Sequence, residues 1–141
     1  MKPRDALPPA RVDAGALDAA LEEWRVALGP QWVLSGKAPG LAHYRDDFTL
    51  DAAQRRAPRA ALQPANLRQV QKVLEIARRR GVPLWPLATG RNLGYGGAAA
   101  RQAGVVMLDL QRMNRVLEIN EALGYALVEP GVSHLDLQRE L

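Results

Sequence analysis

Apolar side chains recur at Leu17, Leu21, Trp24 and Leu28, a spacing that stacks them on one face of a helix. Asp13 stands ahead of them as an N-cap, so a helix is expected to Leu28, where Gly29 and Pro30 end it. A second helical period holds Leu67, Val70, Val73, Leu74 and Ala77 on its expected buried face. Asn66 caps that helix, which runs to Arg80 with Gly81 at its C′ position.

Between and after the helices the period changes. Gln31 to Ser35 and Arg59 to Gln63 read as short strands, the latter stopped by Pro64. Residues 36–58 are irregular, carrying His43, Tyr44 and Phe48 with room for one helical turn. Val82 to Ala88 is a strand whose Pro83 and Pro86 call for an edge position or an early end. Val105 to Leu110 is continuously apolar up to Asp109 and reads as a fully buried strand. Asp109 and Glu118 have no paired carboxylate at useful spacing, so both are expected to be solvated or salt-bridged. Arg115 to Asn120 and Tyr125 to Glu129 form a hairpin around Glu121 to Gly124. Ser133 with Asp136 three residues on opens a last helix through Leu135 and Leu137. That helix has barely begun at Leu141, and so short a helix is expected to lack the surface it would pack against. The element order implies an α+β fold: a small mixed sheet with flanking helices, containing one βαβ unit.

The strand ending at Ala88 runs into Thr89-Gly-Arg-Asn-Leu-Gly-Tyr-Gly-Gly97. Glycine permits positive φ and close approach to the backbone, and successive N–H groups can converge on an anion. The Gly-Lys-Ser/Thr of a Walker loop is missing. Gly94, Gly96 and Ala99 fit the dinucleotide fingerprint G-x-G-x-x-G/A, but that motif must open a helix, and the next strand follows too soon. Spacing alone leaves a ligand-free glycine turn and a phosphate wrap about level. Arg91 and Asn92 favour the anion.

Composition excludes more than it selects. The 141-residue chain suits one domain and carries a formal charge of +4 with basic and acidic residues interspersed. Nucleic acid is not implied, since the chain has 1 Phe and 3 Tyr and no recognised binding motif. There are 0 cysteines and 2 histidines, so no metal site is expected. No apolar span of transmembrane length occurs, and without a secretory signal a cytoplasmic location is expected. His134 reads as a helix-start histidine, Trp85 as core, and Trp24 and Trp32 as core or interface.

Three blocks in order then carry a resemblance: Pro83-Leu-Trp-Pro-Leu-Ala-Thr-Gly-Arg-Asn-Leu-Gly-Tyr-Gly-Gly-Ala-Ala, Val106-Met-Leu-Asp-Leu-Gln-Arg-Met-Asn-Arg-Val-Leu-Glu-Ile-Asn, and Tyr125-Ala-Leu-Val-Glu-Pro-Gly-Val. From about Ala60 onward the chain resembles the vanillyl-alcohol oxidase and p-cresol methylhydroxylase flavoproteins, and within them the branch of 4-cresol dehydrogenases and eugenol hydroxylases. The resemblance implies the first subdomain of a PCMH-type FAD-binding domain, its N-terminal portion at 59–141, behind a lead-in with one helix at 1–58. It implies FAD as cofactor. It implies that Thr89, Gly90, Arg91, Asn92, Leu93, Gly94, Gly96 and Gly97 wrap the pyrophosphate, and that Pro130, Gly131 and Val132 lie along the flavin. Tyr95 would be the catalytic side chain, hydrogen-bonding a phenolic substrate. Hydride would leave the para-attached side-chain carbon of 4-cresol, vanillyl alcohol or eugenol for the flavin, giving a quinone methide. A cytochrome c subunit and a homo-oligomer are the implied partners of the complete enzyme. The family's histidine ahead of the FAD loop has no clear counterpart, and His43 does not align with it. Two other readings stay open: a non-catalytic fragment retaining partial nucleotide binding, and a basic nucleic-acid-binding domain.

Overall fold

A computed structural model of the chain describes residues 11–44, 58–90, 98–100 and 102–141. Helix α1 spans Ala14–Leu28, strand β1 Val33–Ser35, β2 Ala60–Leu62, helix α2 Leu67–Arg80, β3 Leu84–Leu87, β4 Val106–Asp109, β5 Val116–Asn120, β6 Tyr125–Val128 and helix α3 His134–Glu140. Two 3₁₀ segments, Pro30–Trp32 and Pro39–Tyr44, flank β1. The expected α+β order is present, with a single turn of 3₁₀ replacing the start of the first expected strand.

The caps fall where the polar residues called for them. The Asp13 carboxylate accepts from the Ala16 amide at 2.8 Å, and the Asn66 side chain accepts from the Gln69 amide at 3.0 Å. Gly81 closes α2 in the left-handed region at φ +65°, where its N–H donates to the carbonyls of Ala77 and Arg78. Ser133 and Asp136 form a reciprocal capping box on α3.

Four strands make one sheet in the order β1-β2-β4-β3, with β1 antiparallel to β2 and both β2 and β3 parallel to β4. Pro83 and Pro86 are explained by this order, because β3 is an edge. Strands β5 and β6 form the expected hairpin, with a register irregularity between Val116 and Glu118. At its turn, Tyr125 donates to Glu118 at 2.5 Å.

Strand alternation gives the sheet two buried faces. Ala60, Leu62, Val106 and Leu108 meet Leu17, Leu21, Trp24 and Leu28 of α1 and Val73, Ile76 and Ala77 of α2. Trp24, fully buried, sits between the helices and donates its indole N–H to the Val73 carbonyl at 3.3 Å. On the other face Ala61, Met107 and Val105 pack with Leu41, Tyr44 and Ala100, and Trp85 lies against them half-buried. The guanidinium of Arg112 stacks 3.5 Å above the half-buried ring of Trp32.

One helix face differs from expectation. Leu67 and Leu74 are exposed, while Ile76 is buried. The stripe of α2 turns toward Trp24, which contacts the Val73 turn, and this rotation carries Leu67 and Leu74 to its flank. Across the helix pair, Glu23 bonds to Arg79 and Arg80 at the surface, where such pairs contribute little.

Candidate functional site

Parallel strands β2, β3 and β4 all point their carboxyl ends the same way. In open parallel sheets, ligands bind in the crevice outside those ends. A groove of about 640 Å³ opens there, lined among others by Gln63 after β2, Thr89 and Gly90 after β3, and Asp109 and Gln111 at the end of β4. His43 and Tyr44 come from the 3₁₀ segment, and Gly131 and Ser133 from the link between β6 and α3. That size suits a cofactor or small ligand.

Two of the glycines that line the groove, Gly90 and Gly131, are required for different reasons. Gly90 has φ +69°, and a β-carbon there would lie 3.2 Å from that of Ala98. The loop thus starts in a left-handed residue and returns close to its own beginning. A β-carbon on Gly131 would meet the Gln111 carbonyl oxygen at 2.5 Å and the Leu110 carbonyl oxygen at 2.8 Å. Its amide also donates to the Met113 carbonyl at 2.7 Å. The strap after β6 therefore lies directly on the turn after β4, with no side chain between them.

Two arrangements hold this wall. Glu129, buried just before Pro130, accepts from Arg115 Nη2 at 2.8 Å, Arg115 Nε at 3.2 Å and the Arg115 amide at 2.9 Å. The Arg115 guanidinium keeps the Glu129 carboxyl below its ordinary range. Asp109, 1% exposed, accepts from Tyr44 Oη at 2.6 Å and Gln63 Nε2 at 3.1 Å on one oxygen, and from the Gln111 amide at 2.9 Å on the other. Burial, followed by the hydrogen bond to Asp109, pushes the Tyr44 phenol well above its ordinary range. The expectation of a solvated or salt-bridged Asp109 is corrected: neutral donors satisfy it inside the fold.

The expected site residues divide into three groups. Thr89, Gly90 and Gly131 line one groove. Pro130 and Val132 flank Gly131, and the Val132 amide donates to the Glu129 carbonyl at 3.1 Å. Arg91, Asn92, Leu93, Gly94, Tyr95, Gly96 and Gly97 lie outside the described residues. Tyr44 and Gln63 were not singled out as site residues. No local spacing marks them, because their common partner is 65 and 46 residues away. His43 lines the groove, whereas His134 is exposed at the start of α3.

These residues fit a dinucleotide. Gly90 stands at the groove in the left-handed region, and the cleft extends from there to the Gly131 strap, where no side chain narrows it. The lining carboxylates are engaged within the fold: Asp109 as above, and Asp136 by the Ser133 amide at 3.1 Å and hydroxyl at 2.5 Å. Among the described residues no cluster of three or more His, Asp or Glu could hold a metal ion.

A family model described as an FAD binding domain matches residues 58–141. The chain is 38% identical over 129 residues to the 4-cresol dehydrogenase [hydroxylating] flavoprotein subunit of Pseudomonas putida, covering 92% of this chain and 25% of that protein. It is also 38% identical over 117 residues to the 1'-carboxy-chondrochloren decarboxylase of Chondromyces crocatus, covering 83% of this chain and 21% of that protein. A crystal structure of p-cresol methylhydroxylase with substrate bound superposes with a TM-score of 0.88 at 36% identity, covering 94% of this chain and 25% of that one. The chain thus spans about a quarter of the length of the relatives it matches.

Proposed function

The chain belongs to the FAD binding domain family, and from that premise we propose that the groove at the carboxyl ends of β2, β3 and β4 holds FAD. Thr89 and Gly90 begin the wrap around the pyrophosphate, and Arg91, Asn92, Leu93, Gly94, Gly96 and Gly97 continue it. Pro130, Gly131 and Val132 run along the flavin. The observation that carries this reading is the meeting of Thr89 and Gly90 with Gly131 across one groove, although they belong to segments far apart in sequence. In the same proposal residues 59–141 are the FAD-binding portion and residues 1–58 a lead-in.

The proposed reaction is oxidation of a para-substituted phenol such as 4-cresol, vanillyl alcohol or eugenol. FAD, when bound, would supply the acceptor for a hydride from the side-chain carbon attached para to the hydroxyl, leaving from the phenolate a quinone methide open to water. Tyr95 donates its hydroxyl hydrogen to the phenolate oxygen and favours the charge that drives hydride loss. A cytochrome c subunit taking the electrons, and a homo-oligomer, complete the proposal. Support for the phenol comes from the names of the first relative and of the superposed structure. The decarboxylase matches the same portion at equal identity, which favours a portion that carries the cofactor more than the substrate choice.

The test is a titration of the purified chain with FAD, followed by flavin fluorescence and visible circular dichroism. Saturable binding at one site per chain is expected. Signals that only rise linearly with added FAD would sink the proposal.

A further inference from the structure

Gln63 is fixed on three sides. Its amide N–H donates to the Trp32 carbonyl at 3.0 Å, and its carbonyl accepts from Arg112 Nη1 at 2.7 Å. Its side-chain nitrogen donates to Asp109 Oδ2 at 3.1 Å and to Tyr44 Oη at 3.2 Å. Asp109 Oδ2 already accepts the Tyr44 hydrogen and so faces Gln63 as an acceptor. The Gln63 amide must therefore turn its nitrogen toward Asp109, and its oxygen lies on the other side. None of the described residues donates to that oxygen, and Gln63 lines the groove. The Tyr44 hydroxyl adds to the constraint, because its own hydrogen is committed to Asp109 at 2.6 Å and its oxygen is left to accept.

We propose that Gln63 contacts the bound dinucleotide, offering Oε1 as acceptor to an O–H or N–H donor of that ligand, and that buried Asp109 is the positioning residue that sets the amide this way round. The inference rests on the FAD reading of the groove and adds to it a side-chain acceptor where the loop supplies backbone donors. Its chemistry selects for a ligand with a hydroxyl or N–H beside its phosphates, which a bare phosphate chain lacks. Asp109, 1% exposed and engaged by Tyr44, Gln63 and the Gln111 amide, acts through Gln63.

The test is a double-mutant cycle on the full chain, with FAD as the probe and thermal unfolding followed in parallel. Gln63→Leu is expected to weaken FAD binding about tenfold, the effect of one lost hydrogen bond with its partner left buried. Its unfolding temperature should stay within a few degrees of the parent. Asp109→Asn, which can accept on only one side, frees the amide to turn and should weaken binding comparably in the parent. In the Gln63→Leu background it should add almost nothing. Should Asp109→Asn not fold, Tyr44→Phe replaces it: a smaller loss is expected in the parent and none beside Gln63→Leu. A Gln63→Leu chain that binds FAD as tightly as the parent overturns the contact. Additive losses overturn the positioning role of Asp109. Failure of the parent itself to bind FAD overturns the cofactor reading and this inference with it, whereas unchanged variants of a binding parent overturn this inference alone.

Discussion

The backbone of Gly131 lies against that of Gln111 so closely that a β-carbon on the first would be 2.5 Å from the carbonyl oxygen of the second. Backbone cannot swing aside as a side chain can. Gly131→Ala should therefore push the strap off the β4 turn and destabilise the chain by about 1–3 kcal/mol, as overpacking does elsewhere. Thermal or urea unfolding would read this loss directly. A chain of parental stability would mean that the strap moves without cost.

At the other wall the glycine requirement concerns binding. Gly94→Val or Gly96→Val should abolish FAD binding in calorimetry, because each β-carbon blocks approach to the backbone that the loop offers. The folded chain should otherwise unfold near the parental temperature. Parental affinity in either variant would refute the assignment of the loop to the pyrophosphate.

Tyr95 is testable only where turnover occurs. In an enzyme that contains this portion and oxidises phenols, Tyr95→Phe should cost on the order of 1–3 kcal/mol in transition-state stabilisation. A fall in kcat/KM no greater than twofold would remove Tyr95 from the substrate contacts.

Acid should loosen the hairpin base. Hydrogen bonds from Arg115 lower the Glu129 carboxyl in the folded chain, so its stabilisation is complete above the ordinary glutamate value of about 4.3 and fades as pH falls through the lowered one. Glu23, held down first by Arg80, and Glu75, held down first by Lys72, act in the same window. Glu129→Gln should make unfolding between about pH 4.5 and pH 2 less pH-dependent, without flattening it. An unchanged slope would separate Glu129 from the acid response.

Trp24 fills the space between the two helices and the sheet. Trp24→Ala should cost about 3–5 kcal/mol, the range for emptying a buried aromatic site. A loss below about 1 kcal/mol in denaturant unfolding would show that the helices close over the gap.

Much of this architecture could be read locally. Asp13, Asn66 and Ser133 cap the helices that their positions announced, and the prolines of β3 placed it at an edge. Features that depend on distant partners could not be read this way. The helical period put Leu67 and Leu74 on the buried face and left Ile76 out, because it does not show how α2 turns toward the Trp24 indole. Asp109 sits at the end of an apolar run, and a run of that kind does not reveal that a tyrosine and a glutamine from other segments will meet it. Of the residues that line the groove, Thr89 and Gly90 were singled out by the glycine-loop pattern and Gly131 by the family resemblance, whereas Tyr44 and Gln63 carried no motif.

The strand order has a consequence for how the chain comes to be folded. Strands β2 and β3 do not touch; each is hydrogen-bonded to β4, the last of the four to be translated. Only the antiparallel β1–β2 pair can form before it. Until residues 106–109 leave the ribosome, the apolar faces of α1, α2 and the early strands have no completed sheet to cover them. Long-range parallel pairing of this kind is slow and leaves sticky surface in view meanwhile. A nascent chain paused before β4 should behave as a chaperone client, and its release should coincide with insertion of the central strand.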